Sequence, residues 1–129
     1  MTIYLDSSAA LAELLSEDRR ISPNIWNQDL TSSRLLEYEV WNRLHARGLA
    51  RSHAQEVTEL LNKINLMELS PIVLQRALEF FPIPVRTLDA LHLATIEYLR
   101  AEGGAVELVS FDKRMTAAAR ALGISIYAS

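Results

Sequence analysis

The sequence predicts an α/β fold, a three-layer α/β/α sandwich in which a mostly parallel sheet is covered by helices on both faces. Two observations carry that expectation. Short strand-like runs alternate with helix-patterned segments along the chain, the order that builds parallel sheets with helical crossovers. The segment 88–100 has apolar residues on nearly every side, so it belongs to the interior and not to a solvated face. At 129 residues the chain suits a single domain spanning 1–129, because two would each be small for an independent core.

Taken in order, TIYL at 2–5 reads as the first strand and SAALAELL at 8–15 as a helix. A short helical piece at 23–28 contains Pro23 at a plausible first position, where its missing N–H costs nothing. LTSS at 30–33 is a candidate second strand. Within 34–47, Leu36, Val40 and Leu44 recur four apart on one stripe, which marks a helix, and Gly48 supplies its stop. A helix over 53–63, a strand at 65–69 and a helix over 71–80 opened by Pro71 follow. FPIPV forms a rigid connector to the apolar helix 88–100, with Thr87 as its expected N-cap. VELVSF at 106–111 is a strand, 113–122 a helix closed by Gly123, and ISIY at 124–127 the last strand.

Half of the residues are hydrophobic and 22% are charged, which fits an ordinary globular domain and not a disordered chain. No apolar run approaches the roughly 20 residues of a membrane span. No basic stretch precedes the first apolar run, as a secretory signal would require, so a cytoplasmic location is expected. The absence of cysteine rules out disulfides, thiolate metal sites and cysteine nucleophiles. A formal charge of −3 argues against binding nucleic acid through bulk positive charge, yet permits a local basic rim around an acidic centre. No G-x-x-x-x-G-K-[ST], G-x-G-x-x-G or G-x-S-x-G motif supports a nucleotide cofactor or a serine nucleophile.

Four acids stand out by position. Asp6 directly follows the first strand and Asp112 follows VELVSF, at the strand ends where parallel sheets gather ligands. Each is also a natural helix N-cap, a role Ser7 could fill as well as Asp6. Glu39 borders the Leu36/Val40/Leu44 stripe and has Arg43 four residues on, the spacing of a surface ion pair. Asp89 sits in the first turn of the apolar helix, where the dipole favours an acid. Together in one pocket, four carboxylates would repel and raise one another's pKa values unless cations neutralised them. An all-oxygen, sulfur-free set is what Mg²⁺ or Mn²⁺ prefers, and such an ion can activate water and shield a phosphodiester.

Other residues gain interest from this setting. His92 makes D-x-x-H with Asp89 and reads as a hydrogen-bonded helix histidine ahead of a ligand. Arg43, Arg47 and Arg51 recur four apart, leading away from Glu39; Arg86, Lys113 and Arg114 flank the other acids. They read as phosphate contacts or as a solvated surface. Trp41 reads as core and Trp26 as a partner contact.

IYLDSSAAL, TSSRLLEYEVWNRL, RTLDALHLA and VSFDKRMTAAARALGI, in this order, resemble the signature blocks of PIN-domain ribonucleases, in particular the VapC toxins of toxin–antitoxin pairs. The resemblance implies that Asp6, Glu39, Asp89 and Asp112 form a catalytic, metal-binding quartet around Mg²⁺ or Mn²⁺. Ser7 and Ser8 stand in the hydroxyl position after the first Asp, and Ser110 where the family often has Thr. Glu39 matches better than Glu37, by its spacing from Ser33 and the VWNRL that follows. Arg43, Arg47, Arg86, Lys113 and Arg114 would form the RNA or antitoxin rim.

The implied activity is an endoribonuclease toxin acting on tRNA, rRNA or mRNA and leaving 5′-phosphate and 3′-hydroxyl ends. The implied assembly is a homodimer held in check by a cognate antitoxin, a small DNA-binding protein. The alternative is a catalytically inert interaction module whose acids cap helices and pair with Arg43 or Lys113. A weaker alternative is a phospho-accepting receiver-like domain.

Overall fold

The computed structural model describes residues 1–17 and 21–127. Its sheet has five parallel strands: β1 (Thr2–Leu5), β2 (Leu30–Ser33), β3 (Asn65–Met67), β4 (Val106–Val109) and β5 (Ser125–Ile126), in the order β3-β2-β1-β4-β5. The chain walks outward from β1 to β3, then returns to place β4 on the other side of β1. The order therefore reverses between β1 and β4, and a crevice opens beyond their carboxyl ends, where open α/β sheets bind ligands. Asp6 and Ser110 are the first residues past those two strands.

Strand alternation sorts the core into two halves. Ile3, Leu5 and Val109 face one cluster, built with α1 (Ser7–Leu14), α2 (Leu35–Ala46) and α3 (Ala54–Asn62). Tyr4, Val106 and Leu108 face the opposite cluster, built with α5 (Thr87–Ala101) and α6 (Lys113–Ala121). The remaining helix, α4 (Pro71–Ala77), packs on α5. The result is the expected α/β/α sandwich. Leu36, Val40 and Leu44 form the buried stripe of α2, and residues 92–96 of α5 are wholly buried. Among the described residues no helix is long and apolar enough to cross a membrane.

Several boundaries differ from expectation. The strand expected over 106–111 stops at Val109, which frees Ser110 and Phe111 to turn toward the crevice. Thr87 is the first residue of α5; Arg86 holds the N-cap position in an extended conformation and makes no side-chain cap bond. The helix expected over 71–80 stops at Ala77. Helix α2 stops at Ala46, with Arg47 as C-cap and Gly48 at φ 70°, a left-handed geometry that suits glycine. Arg51 therefore lies beyond the helix, and the run of four-spaced arginines ends at Arg47.

Leu108 is fully buried on the α5/α6 side of β4. Leu108→Ala is expected to cost about 2–5 kcal/mol of folding stability through lost burial and a residual cavity, as measured by urea unfolding.

Candidate functional site

The four acids arrive at the carboxyl edge of the sheet by different local routes. Asp6 caps α1, accepting from the Ala9 amide at 3.1 Å through Oδ1. Asp112 caps α6, its Oδ1 accepting from the amides of Arg114 at 2.9 Å and Met115 at 3.2 Å. Both structural roles anticipated for these residues are real. Asp89 lies in the first turn of α5, and Glu39 in the middle of α2.

Asp6 is only 4% exposed, and burial of an ionised carboxylate is costly unless donors surround it. Ser8 supplies one, donating to Oδ1 at 2.7 Å, and Ser110 supplies another, donating to Oδ2. The two hydroxyls are themselves tied down by backbone amides, Phe111 N–H to Ser8 at 2.9 Å and Asp112 N–H to Ser110 at 3.0 Å. Burial still pushes the Asp6 carboxyl above the usual carboxylate range, against the pull of these hydrogen bonds and of the nearby His92 ring. Ser110, at the position where PIN-domain ribonucleases often have Thr, thus uses its hydroxyl to hold Asp6.

Glu39 does not pair with Arg43. Its Oε1 lies 2.6 Å from His92 Nε2, and its Oε2 accepts from Ser7 at 3.3 Å. The neighbouring serines therefore divide their work, Ser7 serving Glu39 and Ser8 serving Asp6. His92 is 1% exposed, and its Nδ1 lies 2.7 Å from the Tyr4 hydroxyl. Both ring nitrogens are committed, which leaves no lone pair for a metal. Glu37 turns the other way, to Arg34 at 3.5 Å.

Asp89 has no hydrogen-bond partner among the described residues. Burial lifts its carboxyl above the ordinary value, and the charges of Asp112 and Glu39 lift it further, while His92 and Arg86 pull it down. These influences place Asp112 and Glu39 each within electrostatic reach of Asp89. The acids do not meet at a single point, however: among the described residues no three of His, Asp or Glu are arranged to hold a metal ion. Asp6, Glu39 and Asp112 are each committed to protein donors.

A polar cleft of about 430 Å³ opens beside Asp112, Ser7 and Ser8, and Arg43 and Arg47 also line it. Arg86, Lys113 and Arg114 are exposed around the same end of the molecule. Trp41 packs against the core as expected; Trp26 also packs there, with the Lys63 ammonium 5.7 Å from its ring. A second groove, of about 500 Å³ and mainly apolar, runs between α4 and the start of α5. It holds none of the four acids.

A family model for the PIN domain matches residues 3–121. The chain belongs to the PIN-domain family. Among curated proteins it is similar to ribonuclease VapC46 of Mycobacterium tuberculosis, 33% identical over 129 residues that cover 98% of this chain and 96% of the relative. It is also similar to ribonuclease VapC35 of the same species, 27% identical over 131 residues covering 98% and 96%. Among solved structures, a toxin–antitoxin complex from Klebsiella pneumoniae superposes with a TM-score of 0.66 at 18% identity, covering 89% of this chain and 90% of that one. The structural likeness shows the fold, and the near full-length sequence matches place this PIN domain among VapC-type proteins.

The unpaired position of Asp89 has a measurable consequence. The folded protein holds this carboxyl above its unfolded value, so the native state binds the proton more tightly than the unfolded chain does. Stability from the group is fully present at acid pH and is lost as pH rises through the raised value. Asp89→Asn forfeits no hydrogen bond, and it is expected to raise the melting temperature at pH 7 by about 2–4 °C. The gain should shrink as the pH is lowered toward about 4, as followed by calorimetric melting across pH.

Proposed function

We propose that this PIN domain is an endoribonuclease toxin of the VapC type, dependent on Mg²⁺ or Mn²⁺ held by Asp6, Glu39, Asp89 and Asp112. The observation that supports the proposal is the placement of four carboxylates, from four separate elements, around the carboxyl edge of the sheet, with Asp112 and Glu39 both raising Asp89. A hard divalent cation is the partner that such an all-oxygen donor set fits. The ribonuclease names of the near full-length relatives supply the substrate class.

When bound, the ion lowers the pKa of a water and offsets charge on a scissile phosphate. The chain's own residues do the rest. Ser8, Ser110 and the Ala9 amide hold Asp6 in one orientation, and Ser7 does the same for Glu39. Asp112 spends Oδ1 on its helix cap, and its Oδ2 accepts nothing from the described residues. Arg43 and Arg47, which line the same cleft as Asp112, would contact backbone phosphates and fix the strand's register, with Arg86, Lys113 and Arg114 extending the rim. An acidic crevice with a basic border also suits a partner that supplies positive charge to its centre. We assign that role to an antitoxin, by likeness to the toxin–antitoxin complex. The active form is proposed to be a cytoplasmic homodimer.

The second reading, an inert interaction module, draws on the fact that Asp6 and Asp112 are true caps and Glu39 is bonded to His92. Calorimetric titration with Mn²⁺ separates the two. Chelator-stripped, antitoxin-free protein is expected to bind Mn²⁺, with the affinity falling at least about tenfold in Asp6→Asn and in Asp89→Asn. Cleavage of the target RNA by either variant is expected to fall by about 100-fold or more. A folded wild type that binds no Mn²⁺ would leave the acids as caps and ion pairs, and the module reading would stand.

A further inference from the structure

Three of the four acids need little help to stay in place. Asp6 and Asp112 have short side chains fastened to helix amides, and Asp89 is rooted in the first turn of α5. Glu39 is different. It sits mid-helix on α2, with a longer side chain and no amide of its own helix to hold it. A glutamate has more rotamers to lose than an aspartate, so its aim depends on what lies opposite.

What lies opposite is His92, 2.6 Å from Oε1, a closer contact than the 3.3 Å bond from Ser7 to Oε2, and behind His92 the Tyr4 hydroxyl at 2.7 Å. The direction of this chain follows from its chemistry. A carboxylate only accepts, so Nε2 must carry the proton that meets Glu39. In the neutral ring Nδ1 is then an acceptor, filled by the Tyr4 O–H. Tyr4 also meets the Ser32 and Thr95 hydroxyls and the Ser33 backbone, and Ser32 and Thr95 direct their own protons to the Leu5 carbonyl at 2.6 Å and the Leu91 carbonyl at 2.8 Å. Burial strongly disfavours ionisation of Tyr4, so its hydroxyl remains a donor. Tyr4 is held in the central strand two residues before Asp6, and His92 stands one helical turn after Asp89. The relay thus ties the aim of Glu39 to the same strand and helix that carry two of the other acids.

We propose that Tyr4 and His92 are positioning residues: the Tyr4 hydroxyl selects the Nε2–H form of His92, and His92 aims the Glu39 carboxylate into the crevice. The inference rests on the reading of Glu39 as a metal ligand. It assigns no metal contact to His92, and it explains why Asp89 and His92 lie one turn apart on α5 without a metal bond to the ring.

The test compares wild type with Tyr4→Phe, His92→Gln and His92→Leu, each checked for folding by its melting transition. The first readout is the nitrogen NMR spectrum of the histidine side chains in metal-free protein, where His92 is expected as the Nε2–H tautomer and Tyr4→Phe is expected to shift its Nδ1 resonance. The second is Mn²⁺ affinity by calorimetry. His92→Leu is expected to weaken binding by about 10- to 100-fold, the range for removing a residue that orients a ligand. Tyr4→Phe should cause a smaller loss, and His92→Gln, whose amide can still donate to Glu39, should restore part of what His92→Leu loses. A wild-type ring protonated at Nδ1, or His92→Leu binding Mn²⁺ as tightly as wild type, would overturn the positioning role. A wild type that binds no Mn²⁺ at all would overturn the metal reading, and this inference with it, a result plainly distinct from binding that survives His92→Leu.

Discussion

The burial of one carboxylate, Asp6, at the end of the central strand sets the terms for much of this structure. At 4% exposure it must be surrounded by donors, and the donors come from two places: the first turn of α1, with the Ala9 amide and the Ser8 hydroxyl, and Ser110 beyond β4. Meeting that demand fixes where β1 ends, where α1 begins and how β4 leaves the sheet. Ser110 can reach Asp6 because β4 breaks off at Val109. The turn that follows hands Asp112 to α6 as its cap. One buried charge thereby organises both strand ends at the point where the sheet order reverses.

A second tether crosses the same edge. Helix α2 belongs to one cover of the sheet and α5 to the other, so the Glu39–His92 bond joins two layers that the strands hold apart. It also leaves a residual tension. The Asp89 carboxylate, on the same helix as His92, has no hydrogen bond from the described residues and feels like charges from Asp112 and Glu39. A fold optimised for stability alone would not keep an acid there. Sites that handle charge commonly carry such local cost, offset by packing elsewhere.

Most of the architecture was legible in the sequence because its signals are local. The Leu36/Val40/Leu44 stripe, the prolines opening two helical segments and the glycines closing others identify elements without reference to the rest of the chain. The four acids drew notice by position, each at a strand end or a helix flank, but their reading as one set came from the resemblance to PIN-domain ribonucleases. What remained hidden depends on partners far away in sequence. Ser110 is 104 residues from Asp6, and His92 is 53 from Glu39, so no spacing rule could pair them. Local rules even pointed to Arg43 for Glu39, and to Thr87 as the cap of α5. Tertiary contacts gave Glu39 His92 and Ser7 instead, and the extended connector set Arg86 at the cap position without using its side chain. The arginine run failed at Arg51 because helical spacing has meaning only while the helix lasts.

Cap and ligand readings of an aspartate are usually set against each other, but here the geometry makes them compatible. A carboxylate has two oxygens, and capping a helix needs one. Asp112 spends Oδ1 on the amides of Arg114 and Met115, and its Oδ2 accepts nothing from the described residues. The helix N-terminus that it caps is itself electropositive and steadies the charge. Asp89 gains the same benefit at the start of α5 while committing neither oxygen. Helix starts beyond parallel strands thus supply carboxylates that are both oriented and partly compensated before any ligand arrives. Glu39 has no helix terminus to lean on, which is why it alone among the four needs a buried histidine behind it.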